Sequence, residues 1–136
     1  MSTELRTKTA DSEKITLNLG FVDLGHVDLL VAEGFYSNRS DFIRTAIRNQ
    51  LDRQGETVRQ TVARRQLDLG LRHFGRRELE SLREAGETLA IRVLGLAVIA
   101  QDVTADLARD TISSIQVLGA LQASPAVKAA LSDRIN

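Results

Sequence analysis

The sequence predicts an α+β protein with two small folded parts. Three observations support this prediction. A short segment near the start alternates polar and apolar residues, and two amphipathic helical patterns follow it. Charge is unevenly distributed, because residues 44–83 hold ten arginines, no lysine and only five acidic residues. A five-residue pattern rich in β-branched residues recurs 24 residues further on in the last third of the chain.

Composition excludes several classes of protein. A length of 136 residues suits one domain or two very small ones, and 43% hydrophobic with 26% charged residues is typical of a folded chain. No apolar stretch has the length of a membrane span or a secretory signal, so we expect a cytoplasmic protein. Without cysteine, and with only His26 and His73, the chain lacks the side chains of most catalytic and metal sites. We expect neither an enzyme nor a cofactor.

Residues 14–19 predict a strand, in which Ile15, Leu17 and Leu19 alternate with polar residues and face a core. No second strand is predicted within about forty residues of it. A lone strand leaves its backbone groups unpaired, and the same strand of a second copy is the simplest partner, because two-fold symmetry makes an antiparallel ribbon. The sequence therefore predicts an obligate homodimer.

Two helices are predicted after this strand. Asp23 is the predicted N-cap of the first, which ends at Gly34, and Ser37 is the predicted N-cap of the second. Their apolar stripes complete the core under the ribbon. The predicted dimer core consists of Ile15, Leu17, Leu19, Leu30, Phe42, Ile43 and Ile47.

The polar side of the predicted ribbon carries Lys14, Thr16 and Asn18 from both chains. A two-stranded ribbon fits the major groove of B-DNA, where these side chains can read base edges. The start of the second helix can hold a phosphate with its free backbone amides. The residues assigned to this phosphate site are Ser37, Asn38, Arg39 and Ser40. The alternatives are a solvated strand face, simple capping by Ser37, and pairing of Arg39 with an acidic neighbour.

Residues 14–19 and the run LLVAEGFYSNRSDFIR at 29–44 resemble the ribbon-helix-helix transcriptional regulators of the CopG type. The resemblance covers residues 13–53. It implies a dimeric DNA-binding domain in which outward strand side chains read bases and the start of the second helix holds phosphate. The chain departs from the family at residues 20–26, where the family usually has proline and acidic helix formers.

A largely helical basic connector is predicted over residues 55–86, with breaks at its glycines. Its arginines could follow the phosphates of flanking DNA. They could instead form a solvated helix face paired with Asp68, Glu78 and Glu80, or contact an acidic membrane surface. The arginines concerned are Arg59, Arg64, Arg65, Arg72, Arg76 and Arg77.

Residues 91–95 and 115–119 share the pattern Ile-x-Val-Leu-Gly, and each predicts a strand. Thr104 is placed to cap a helical turn between them, and Ser124 followed by Pro125 predicts a final helix. A βαβα unit fits this order, as do two rungs of a short β-solenoid, which resembles the cytoskeletal bactofilins. Both leave an open sheet edge, so residues 87–136 are predicted to be an oligomerisation module. Residues 84–136 hold no His or Cys, so no nickel-type sensor is expected.

The predicted organisation is a flexible tail over 1–12, a DNA-binding domain over 13–54, the connector over 55–86 and the module over 87–136. The predicted function is a sequence-specific transcriptional repressor that binds operator DNA as a dimer or higher oligomer, in the cytoplasm at the nucleoid. One alternative is the antitoxin of a toxin pair, which needs a C-terminal segment that folds only on its partner. The other is a DNA-attached architectural or filament-forming protein. DNA and further copies of the chain are the expected partners.

Overall fold

The computed structural model describes residues 12–136, and the chain divides into two compact units, Met1–Val58 (unit 1) and Arg59–Asn136 (unit 2). The predicted tail over 1–12 lies outside the described residues, except for its last residue. The elements are α1 (Phe21–Ala32), α2 (Arg39–Arg53), α3 (Gly55–Arg65), β1 (Asp68–Phe74), α4 (Arg76–Ala85), β2 (Leu89–Ile99), α5 (Ala105–Thr111), β3 (Ile112–Gln122) and α6 (Pro125–Ala130). No helix within 12–136 is both long and apolar enough to cross a membrane.

Helix α1 begins earlier than predicted. Gly20 occupies the N-cap position, and its carbonyl accepts a 3.0 Å hydrogen bond from the Leu24 amide. Asp23 therefore lies within the first turn, where its negative charge interacts favourably with the positive end of the helix dipole. The prediction that Asp23 is the N-cap is wrong. The helix stops as predicted, because Gly34 adopts a φ of 87°, a left-handed conformation that favours glycine.

The segment before α1 has no regular secondary structure in the single chain. Residues 12–20 form no strand, and all of them are exposed. A strand needs hydrogen-bond partners on a neighbouring strand, and the described part of unit 1 contains no other strand. The two-stranded ribbon between copies therefore remains a prediction about the dimer.

Unit 2 is a three-stranded parallel sheet in the order β1-β2-β3, with a helix after each strand. Alternate residues of β2 point into a packed core, and the following helices supply the other side. Its fully buried large side chains include Ile91, Val93 and Ile99 of β2, Ile112 and Ile115 of β3, and Leu79, Val127 and Leu131 from the helical side.

Strand β1 lies inside the region predicted to be a helical connector. Helix α3 ends at Arg65, and Gln66 has a φ of 54°, so the helix cannot continue through it without a break. Residues 68–74 then pair in parallel with residues 93–99 of β2. The prediction of a largely helical connector is wrong here, because pairing with a distant strand overrides the helix propensity of arginine and leucine.

The repeated pattern at 91–95 and 115–119 forms β2 and β3, as predicted. A third copy of the architecture precedes them, so unit 2 contains three strand-helix repeats rather than two. The helices after each strand distinguish it from a solenoid with all-β rungs. Gly70, Gly95 and Gly119 stand side by side in the register of the three strands.

Glycine is favoured at these three positions by the backbone conformation, and at Gly95 and Gly119 also by the close approach of the neighbouring strand. Their φ angles are 112°, 138° and 122°, which side-chain-bearing residues rarely adopt. A Cβ on Gly95 would strike the backbone carbonyl of Gly70, and a Cβ on Gly119 would strike that of Gly95. Gly70 is at the sheet edge, and a Cβ there would meet nothing within 4 Å.

The two outer strands of the sheet differ in how their edges are covered. The Ile115 amide donates a 2.8 Å hydrogen bond to the Arg134 carbonyl, and the Asn136 amide donates one of the same length to the Ile115 carbonyl. The Arg134 guanidinium also bonds the Ile112 carbonyl at 2.7 Å, so the C-terminus is held along β3. Strand β1 pairs only with β2 among the described residues.

Substituting two glycines of this row separates backbone strain from steric collision. Gly70→Ala should cost about 1–3 kcal/mol, because a non-glycine residue must hold a positive φ. Gly95→Ala adds a collision with a carbonyl that a neighbouring strand holds in place, and its cost should be larger by at least about 1 kcal/mol. Urea unfolding, monitored through the hydrogen exchange of the β2 amides, measures the loss of unfolding free energy in each variant. An equal loss of unfolding free energy in the two variants would contradict the close approach of β1 and β2 at Gly95.

Candidate nucleic-acid interface

The candidate interface lies in unit 1, on residues 14–19 and at the start of α2. Lys14, Thr16 and Asn18 are all exposed. The residues between them share another side, because Ile15 and Leu17 line one groove, to which the three polar residues do not contribute. The segment therefore has one apolar and one polar side, as the period-two pattern predicts.

The apolar side faces a groove of about 660 Å³ between this segment and the two helices. Val27 of α1 and four residues of α2 complete its lining, together with a few polar side chains. Among the predicted core residues, the groove gathers Ile15, Leu17, Leu19, Phe42, Ile43 and Ile47. Leu30 is half-buried and is not part of the groove lining.

The start of α2 is held by two hydrogen bonds that involve Asp41. Asn38 is the N-cap, and its Oδ1 accepts a 2.8 Å hydrogen bond from the Asp41 amide. The Asp41 carboxylate accepts a 2.9 Å hydrogen bond from the Ser37 amide. The predicted N-cap Ser37 is therefore wrong by one position, because Asn38 has the extended backbone and the side-chain reach that capping requires.

This arrangement decides which donors the helix start offers to a phosphate. The first helical hydrogen bond runs from the Phe42 amide to the Asn38 carbonyl, so the amides of Arg39 and Ser40 precede the helical pattern. The Asn38 side chain is engaged in capping, and its predicted contact with phosphate would have to use another atom. The Asp41 carboxylate, in the first turn, offsets part of the positive end of the helix dipole.

Arg39 pairs with Asp28 of α1. Its Nε lies 2.8 Å from Oδ1 and its Nη2 lies 2.9 Å from Oδ2, so the pair is bidentate. The hydrogen bond from Arg39 holds the pKa of Asp28 below its ordinary value; desolvation opposes this shift, and the positive charge of Arg39 adds to it. The pair thus contributes stability above the ordinary carboxyl pKa, and the contribution is lost as the pH falls through the lowered pKa.

Arg39 therefore pairs with an acidic neighbour, which is one of the alternatives given above for this residue. The contact of Arg39 with phosphate stays a prediction. The pair joins α1 to the start of α2. The sequence does not predict a role for Asp28, since it is eleven residues from Arg39 and no local pattern marks it. The spacing of Asn38 and Asp41 does carry a signal, because an N-cap residue followed three positions later by an acidic one is typical of a helix start.

Several arginines of the predicted connector pair with acidic residues inside unit 2. Arg72 lies 3.1 Å from Asp68, and Arg76 lies 3.8 Å from Glu80 and 3.9 Å from Asp102. The pairs with Asp68 and Glu80 agree with the interpretation of a solvated, acid-paired face. Within residues 12–136, no three His, Asp or Glu side chains are grouped to hold a metal ion.

Removing each candidate cap tests the assignment at the start of α2. Asn38→Ala should lower the free energy of unfolding by about 1 kcal/mol, because the Asp41 amide loses its acceptor. Ser37→Ala should change it by less than about 0.5 kcal/mol, since Ser37 uses its backbone there. Tyr36 is the single tyrosine of a chain without tryptophan, so its fluorescence during urea unfolding reports on unit 1. A larger loss for Ser37→Ala would reverse the assignment.

A comparison with known protein families gives a match over most of the chain. The chain matches the model of a family described as ribbon-helix-helix transcriptional regulators over residues 10–128. The match includes the segment before α1, both helices of unit 1 and unit 2 as far as α6. No curated protein and no solved structure gives a significant match. Because the family model covers most of its length, the chain belongs to the ribbon-helix-helix transcriptional regulator family.

Proposed function

We propose that the protein is a sequence-specific repressor that binds operator DNA as a homodimer through a ribbon formed by residues 14–19 of two copies. Family membership makes it a transcriptional regulator that binds DNA. We further propose that the protein is a dimer, that the ribbon reads the bases and that binding represses transcription. Such a protein works at the nucleoid in the cytoplasm.

The observation that carries the proposal is the missing core of unit 1. Val27 is the only buried hydrophobic residue among its described residues, whereas Ile15 and Leu17 are 75% and 59% exposed. Fully burying an exposed aliphatic or aromatic side chain contributes about 1.5–3 kcal/mol, and the six core residues of the groove are already partly covered, so their further burial contributes on the order of 5 kcal/mol per copy. Two copies supply enough to offset the cost of association, about 4–15 kcal/mol.

The same burial determines which side chains meet DNA. If the odd-numbered residues of 15–19 enter the shared core, Lys14, Thr16 and Asn18 of both copies face outward. Asparagine can bond adenine in a bidentate manner, lysine can reach guanine or phosphate, and threonine offers a hydroxyl and a methyl group. The Arg39 and Ser40 amides at the start of α2 are suited to hold a backbone phosphate beside the ribbon.

Unit 2 supports a regulator better than an antitoxin. An antitoxin segment that folds only on its toxin has no complete core of its own. Unit 2 has one, with Leu79, Leu107 and Leu131 buried together with residues of β2 and β3. We propose that unit 2 associates with further copies, so that dimers join into higher oligomers on DNA. A DNA-attached architectural role would require this association to continue without limit.

Alanine substitutions on the polar side of the ribbon test base reading. Asn18→Ala should reduce the preference for a selected duplex over random duplex by roughly ten-fold, because one good base contact is worth about 1–3 kcal/mol. Lys14→Ala should also weaken binding to random duplex and lower its dependence on salt. The probes are duplexes that the wild-type protein enriches from a randomised library.

The matched control is Lys128→Ala, which removes an exposed lysine of α6 in unit 2. This variant should keep both the preference and the salt dependence of the wild-type protein. If preference between duplexes survives Lys14→Ala, Thr16→Ala and Asn18→Ala alike, the assignment of base reading to the ribbon is wrong.

Substitution of Leu17, which lies on the apolar side of the ribbon, should weaken the dimer itself. Leu17→Ala should raise the dissociation constant of the dimer by roughly 30-fold or more, because losing a buried leucine costs about 2 kcal/mol or more. Thr16→Ala, one residue away, should leave the dimer unchanged. Sedimentation equilibrium over a range of concentrations compares the two variants. A dimer that tolerates Leu17→Ala would remove the argument from the missing core.

A further inference from the structure

We infer that strand β1 of unit 2 pairs with β1 of a second copy of this chain, antiparallel and centred on Gly70. The two three-stranded sheets then join into one six-stranded sheet. This inference rests on the proposed association of unit 2 and names its surface.

The free edge of the sheet is β1. The C-terminal residues 134–136 already occupy part of the outer edge of β3. Strand β1 pairs on one side only among the described residues, and it carries Leu69 and Leu71 with exposed fractions of 69% and 66%. An edge with unpaired backbone groups and exposed leucines is a template for another strand.

The backbone of β1 has the orientation that a symmetric pair requires. A Cβ on Gly95 would strike the Gly70 carbonyl, so that carbonyl faces β2. Successive residues of a strand direct their backbone groups to opposite sides, and those of Leu69 and Leu71 therefore face the free edge. With the two-fold axis at Gly70, Leu69 faces Leu71 of the second copy, and the two residues exchange both hydrogen bonds.

The charges of β1 match in this register. The sequence Asp68-Leu69-Gly70-Leu71-Arg72 places Asp68 opposite Arg72 of the second copy, twice in the symmetric pair. A parallel pair in register would place like charges opposite each other, which is unfavourable. In the single chain Arg72 bonds Asp68 at 3.1 Å, but both side chains are about half exposed, so exchanging partners costs little.

A second copy is the occupant that fits best, because the strand is complementary to its own reverse. The pairing covers Leu69 and Leu71, the two most exposed large apolar residues of unit 2, with the same leucines of the other chain. The glycine at the centre lets the two backbones approach to the about 4.5 Å of a non-hydrogen-bonded pair. Copies held together through unit 1 also meet at a raised effective concentration.

Cysteine cross-linking of the full chain tests the register, because the native chain has no cysteine. Asp68→Cys and Arg72→Cys chains, co-expressed and oxidised together, should form a disulfide between position 68 of one chain and position 72 of the other. Their Cα atoms would be about 4.5 Å apart, within the range of disulfides. Either variant alone should not cross-link, because identical positions would be about 14 Å apart. Lys128→Cys on exposed α6 is the control for random oxidation.

Charge reversal gives an independent result. Asp68→Arg alone and Arg72→Asp alone should each weaken association several-fold, since like charges then face each other. Mixing the two variants should restore association between unlike chains. A pair confined to one chain would give no such rescue, because each chain would keep its like charges.

The outcomes separate this inference from the proposed function. If the wild-type mass exceeds that of a dimer but the mixed cysteine variants do not cross-link, unit 2 associates through another surface and the inference is wrong. If single Asp68→Cys chains cross-link as readily as the mixture, the antiparallel register is wrong. Cross-linking in a protein of dimer mass supports the inference and places the pairing within the dimer. DNA preference, measured separately, tests the ribbon.

Discussion

Unit 1 depends on the burial of apolar side chains that a single chain leaves in contact with water. Residues 12–19 lack hydrogen-bond partners within the described part of the chain as well as a core, so one missing surface accounts for both deficits. In the proposed dimer, a second copy supplies a strand for the backbone and helices for the side chains at once. Folding, dimerisation and display of the polar strand residues are therefore parts of one event in the proposed mechanism.

Unit 2 differs from unit 1 in that its buried core is formed by a single chain. Its sheet is parallel, so every strand is joined to the next through a helix that covers the same core. The glycines at 95 and 119 let the strands approach closely at one level, and the helices after the strands help to bury alternate residues of β2. The core of this unit lies within one chain, and exposed backbone groups and leucines lie at the β1 edge of the sheet.

The sequence predicts those elements whose periodicity is local and clear. Helices α1 and α2 and strands β2 and β3 have apolar residues at the spacing of their structures. Strand β1 escaped prediction because its neighbours are strong helix formers, and its identity depends on pairing with residues 25 positions away. The cap of α2 was misplaced by one residue, since serine and asparagine are equally good N-caps. The pair of Arg39 and Asp28 needs the packing of two helices, which no local pattern contains.

The C-terminal residues along β3 have a consequence for the size of any assembly. A sheet that is open at both ends can recruit new copies indefinitely, as fibres do. Here residues 134–136 already occupy part of the outer edge of β3, so joining through β1 leaves less of the sheet edge open to further strands. In the proposed assembly, growth beyond a pair of sheets would then run through unit 1 rather than through the edges of the sheet.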